Sequence, residues 1–187
     1  MPDTMTHLLV ARKVSQNASL SFYIGSVAPD AVKDRTEKDI SHFRNTPNRG
    51  ATLKELALKV NGNDYLRGFV LHLFTDWKWD ETIIAGFAKK EGDGWFEKYR
   101  DELSKAASYA FHSTEWSTNL VEQMILCDDY DFVETEFITK DKLKLRMQEQ
   151  YAWSVANNMG PSIAFPPEIV EHFVERTAQE FNEWFLR

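Results

Sequence analysis

In the stretch RGFVLHLFTDWKWDE (residues 67–81), His72 and Asp76 stand four apart within an otherwise apolar run. On a helix this spacing puts both side chains on one face, aimed at a common point. A neutral imidazole nitrogen and a carboxylate oxygen are standard zinc ligands, and the apolar neighbours Leu71, Leu73 and Phe74 would hold the helix in a core of low dielectric. A histidine hydrogen-bonded to an aspartate on its own helix would satisfy the same two groups without an ion, so the pair alone leaves both readings open. The N-terminal half adds further donors: His7 on a first helical segment, Asp30 in SVAPD and His42 in KDISHF. Together these are three imidazoles and two carboxylates, donors that suit a divalent metal ion.

Other polar residues carry less. His112 is followed three residues later by Glu115, and the two can share a helix face as additional ligands, or His112 can be a hydrogen-bonded histidine beside a helix irregularity. His172 lies on an amphipathic segment between Glu168 and Arg176 and reads as structural. Cys127 is the only cysteine, which excludes an intrachain disulfide and a thiolate zinc cluster. No histidine is followed directly by aspartate, as an HD-type phosphohydrolase needs, and there is no His-Glu-x-x-His of a zincin protease. The acidic stretch DDYDFVETEF (128–137) lacks the glycine and oxygen spacing of an EF-hand and reads as a solvated connection. Trp77 and Trp79 flank the His72–Asp76 pair and could hold a cationic head group, but core packing is the more economical reading.

The elements that must position these residues are helical. Glycine and proline are few, and apolar residues recur at helical spacing, so an all-α bundle of several helices is expected, forming one domain over residues 1–187. A first helix covers THLLVARKV, starting near Thr4 or Thr6. Gly25 and Pro29 break the pattern, and residues 26–48 are expected to be rich in loops. ATLKELALKVNGND reads as a helix ending near Asn61 and Gly62, packed as a hairpin on a longer one from Asp64 to Lys89. After EGDG, helical periodicity runs from Trp95 to Cys127 with a break around residues 113–117. Further helices are expected over about 139–157 and 168–186.

Taken in order, TH near the start, GSVAPD, KDISHF and GFVLHLFTD resemble the zinc-dependent phospholipase C family, whose domain is also called the phospholipase C/D domain. The resemblance covers about the first 80 residues and implies that family's helical fold and a zinc-dependent phosphoric-ester hydrolase. It implies that His42 and His72 bind a zinc ion, that Asp76 binds it and can bridge to a second, and that His7 binds the second ion. Asp30 matches an aspartate beside the reactive centre, described as general base or further ligand. Secreted members also use the amine of a processed N-terminal residue, whereas six residues precede His7 here. They carry a third zinc on two histidines and a glutamate, for which only His112 and Glu115 are at hand, so one or two ions are expected.

The expected reaction is attack of metal-activated water on a phosphodiester, as in a phosphodiesterase or phospholipase C. The alternative is a helical protein that keeps the pocket for metal or ligand binding without turnover. The formal net charge of −7 supplies no general attraction to nucleic acid or anionic lipid, so the expected partner is a small phosphoester or a phospholipid head group, held by local charge. No transmembrane segment and no signal peptide are read from the chain, which makes the cytoplasm the expected location.

Overall fold

Asp3 starts the first helix: its carboxylate accepts from the Thr6 backbone N–H at 3.0 Å, and α1 runs Thr4–Val14. The computed structural model describes residues 2–186, so Met1 and Arg187 of the domain expected over 1–187 lie outside the described residues. Ser19 caps a short second helix, α2 (Leu20–Gly25), which leads into one 3-10 turn, Ala28–Ala31, with Pro29 in its first turn. Asp34 accepts from Thr36 and Glu37 to begin α3 (Arg35–Ser41). Residues 26–48 are therefore less irregular than expected: these helices are too short for periodicity to register, and only their caps announce them.

The helix α4 (Arg49–Ala57) ends before the expected Asn61 and Gly62. Its last turn tightens, with Lys59 and Val60 donating to Leu56 and Ala57, before Asn61 (φ 51°) and Gly62 (φ 80°) reverse the chain. Asn63 then caps α5 (Asp64–Trp79), which packs against α4 as the expected hairpin. One widened π turn, Asp80–Ile84, joins α5 to α6 (Ala85–Glu91), so the helical path from 64 to 91 is continuous but shifted in phase beyond Trp79. The helices α7 (Trp95–Ser113), α8 (Ser117–Leu126), α9 (Lys140–Ala156) and α10 (Pro167–Leu186) follow at the expected places.

The described residues are helical with no strand, and no helix among them is long and apolar enough to cross a membrane. The helix α5 is central: eleven of its sixteen residues are buried, and it contacts α1, α2, α4 and α10. Trp79 is fully buried, donates Nε1–H to the Tyr99 hydroxyl at 2.8 Å and stands edge-on to Phe173. Trp77 donates to Glu81 and lies under the Lys78 ammonium. Both tryptophans are thus engaged in packing and local bonds. The 127–139 connection is drier than expected, because Tyr130 and Phe132 turn onto the Tyr65 ring.

Candidate metal centre

The backbones of α2 and α5 meet at two glycines. A Cβ on Gly25 would fall 2.0 Å from the Tyr65 carbonyl oxygen, and one on Gly68 would fall 2.1 Å from that of Phe22. Only hydrogen fits at either position, and the close approach lays the end of α2 along one face of α5. The consequence is one turn further on, where His72 Nδ1 lies 2.9 Å from the Ser26 carbonyl oxygen. A carbonyl only accepts, so Nδ1 carries the proton and Nε2 is left as a lone pair.

His42 reaches the same point from the other side. It closes α3, and Phe43 follows in the left-handed region at φ 53°, a conformation a phenylalanine adopts at a cost of about 1–2 kcal/mol. The Ser41 hydroxyl donates to the Lys38 carbonyl at 3.2 Å and lies 3.0 Å from His42 Nδ1, from which it can accept. Nε2 of His42 is then also a free lone pair. His7, from α1, stacks on His72 with ring centroids 3.7 Å apart.

Asp76 sits among these rings. Its Oδ1 is 3.4 Å from His7 Nε2, and its Oδ2 is 3.5 Å from His42 Nε2 and 3.9 Å from His72 Nε2. Ligands around a tetrahedral ion with bonds of about 2.05 Å stand about 3.3 Å apart, close to these separations. The donor atoms of His42, His72 and Asp76 form one mutually close group, and those of His7, Asp30 and His72 a second, each within 4.8 Å. All five residues are at most 6% exposed. Neither nitrogen of His7, nor Nε2 of His42 or His72, nor either oxygen of Asp76 has a hydrogen-bond partner. Six buried polar atoms left unsatisfied at one point would be expensive in any fold, and a divalent cation would satisfy nearly all of them at once.

The protonation states suit such an ion. Burial pushes His42 down to about 4 and His72 to about 3, so both imidazoles are neutral near pH 7, as ligands must be. Burial opposes ionisation of Asp76, but the His7, His72 and His42 imidazoles more than offset it and hold the carboxyl well below its ordinary value. Asp30 is likewise buried yet held low by the Lys38 ammonium, 2.7 Å from its Oδ1, and by His72 and His7.

Lys38 and Arg44 are the site residues that sequence reasoning passed over. Arg44 Nη2 is 3.7 Å from Asp76 Oδ2, while the same guanidinium pairs with Asp39 and Asp80. Their positions, four before and two after His42, were the available signal. The Ser26 carbonyl gave none, since a backbone acceptor has no side-chain signature.

His112 and Glu115 stand apart from this cluster. The helix α7 ends at Ser113, so the two do not share a helix face; Glu115 is exposed, and His112 Nε2 donates to the Ser154 and Asn157 carbonyls at 3.0 and 2.9 Å. His112 thereby ties α7 to the end of α9. No family model, curated protein or solved structure matches the chain.

Proposed function

We propose that the chain is a metal-dependent phosphoric-ester hydrolase of the phosphodiesterase or phospholipase C kind, with zinc held by His7, Asp30, His42, His72 and Asp76 in a fold like that of the zinc-dependent phospholipase C family. The observation that carries the reading is that Nε2 of His7, His42 and His72 and both oxygens of Asp76, all buried and unpartnered, stand at ligand-like separations. The resemblance of the first 80 residues supports the same ligand set.

His72 can ligate through Nε2 alone, because Nδ1 is committed to Ser26. Through that nitrogen it would hold an ion together with His42 and Asp76, and His7 and Asp30, which also lie close to His72, would be the residues to hold a second. When bound, such ions lower the pKa of a water molecule and neutralise charge developing on phosphoryl oxygens. Asp30 is the most accessible of the five, at 6% exposure, and lines a surface cleft, so it is the one an incoming water can reach and be oriented by. Lys38 holds that carboxylate ionised and fixes its direction. Arg44, beside Asp76 Oδ2, adds a positive charge at the edge of the centre.

Hydrolysis of an aryl phosphodiester by zinc-loaded protein tests the reading. Turnover is expected in the wild type and should fall at least a hundredfold in Asp30→Ala and Asp76→Ala. The near-complete burial of His7, His42, His72 and Asp76 favours a second reading, a closed metal site that serves folding or ligand binding. Bound metal with no turnover on phosphodiesters, phosphomonoesters or phospholipid head groups would select it.

A further inference from the structure

We infer that Lys38 stands in for a second metal ion: its ammonium, held on Asp30 by the same helix that delivers His42, makes the centre bind one divalent ion tightly and a second only weakly. This rests on the metal reading and goes beyond it, to how the two positions differ.

The helix α3 carries both groups. Lys38 and His42 are four apart, and the His42 backbone N–H donates to the Lys38 carbonyl at 2.9 Å, so the two side chains leave one face a single turn apart. No residue of α3 is buried, yet the Lys38 side chain is only 19% exposed, and its Nζ stands 2.7 Å from Asp30 Oδ1. The Ser41 hydroxyl links the pair, donating to the Lys38 carbonyl and lying 3.0 Å from His42 Nδ1. An ion on His42 Nε2 would therefore pin α3, and with it the ammonium on Asp30.

The balance of charge points the same way. Asp30 and Asp76 bring two negative charges to the cluster, and one divalent ion among His42, His72 and Asp76 already offsets them. Lys38 adds a positive charge on Asp30, and Arg44, shared with Asp39 and Asp80, adds another near Asp76. The other group of close donors is His7, Asp30 and His72. His72 has a single nitrogen to give, because Nδ1 is committed to the Ser26 carbonyl, and Asp30 already holds an ammonium. Of the three, His7 alone has both ring nitrogens without a hydrogen-bond partner. A second divalent ion would stand against the Lys38 charge in a buried site, where such repulsion is little screened. Seating it means driving Lys38 from Asp30, and an ion already on His42 resists the shift of α3 that would help.

Calorimetric titration of chelator-treated protein with zinc chloride tests this, with the fold of each variant checked by circular dichroism. The wild type should show one tight step and a second at least about a hundredfold weaker. Lys38→Met should narrow that gap at least about tenfold. Lys38→Gln removes the charge but keeps an N–H for Asp30, so it serves where Lys38→Met does not fold, and it should narrow the gap as well. Asp30→Asn should abolish the weak step and leave the tight one. Two steps of equal affinity in the wild type, the wild-type pattern in Lys38→Gln, or a weak step that persists in Asp30→Asn would overturn the role of Lys38 and leave the metal reading intact. Uptake of no zinc by the wild type would overturn the metal reading and this inference with it.

Discussion

At the residue scale, the centre is defined by what its atoms lack. His72 Nδ1 has Ser26, His42 Nδ1 has Ser41, and the two Nε2 lone pairs converge on a carboxylate that receives no hydrogen bond. The Arg44 guanidinium stands 3.7 Å from Asp76 Oδ2, too long for a hydrogen bond. The burial that suits these histidines to metal also makes the metal-free protein acid-sensitive. Their folded values, about 4 and about 3, lie below the ordinary 6.5, so between those limits the unfolded chain binds more protons and stability falls as pH falls. Asp30 and Asp76, held below their ordinary values, extend the loss in the same direction below about pH 4. The urea midpoint of chelator-treated protein should therefore be clearly lower at pH 5 than at pH 7.5. His72→Leu should flatten that difference, and equal midpoints in the wild type would contradict the assigned burial of neutral imidazoles.

At the element scale, one contact sets the site. The helices α2 and α5 approach through Gly25 and Gly68, and that approach carries the Ser26 carbonyl to His72. Gly68→Ala would drive a methyl into the Phe22 carbonyl, where backbone has little room to give, and should destabilise the protein by about 1–3 kcal/mol or more. Because the displaced strand of contacts ends on His72, the same variant should bind zinc more weakly, whereas Gly86→Ala, with open space around its Cβ, should do neither. Denaturant titration and zinc affinity on the two variants check this together. Elements were legible in the sequence where they were long: α5, α7, α8, α9 and α10 each show several turns of apolar periodicity. The helices α2 and α3 were not, since six and seven residues give less than two turns and their signals reduce to Ser19 and Asp34. His72 and Asp76 were legible as a pair because α5 is unbroken between them, while His112 and Glu115 looked similar on paper and are separated by the end of α7.

Across the whole molecule, a chain of net charge −7 concentrates a small number of cations at one place: Lys38 and Arg44 at the cluster, Arg146 in the adjoining cleft. The net charge supplies no long-range attraction for an anion, so on the proposed function these cations would act only within about a Debye length, about 8 Å at physiological salt. The centre joins α1, the 28–31 turn, α3 and α5, elements that no single local contact would hold together. Metal should accordingly stabilise the entire fold. Free zinc at about a hundredfold over its dissociation constant adds about 2.7 kcal/mol, which for a chain of this size raises the thermal midpoint by about 5–10 °C. A scan with zinc and with chelator reads that shift directly.

The account turns on whether the cluster holds a metal, and equilibrium dialysis of chelator-treated protein against zinc measures this most directly, with Asp76→Asn as the companion because it keeps the shape of the side chain and removes its charge. The wild type should retain one to two ions per chain, and Asp76→Asn should bind them at least about tenfold more weakly. Retention of no zinc by the wild type, or of the same amount by Asp76→Asn, would contradict the account.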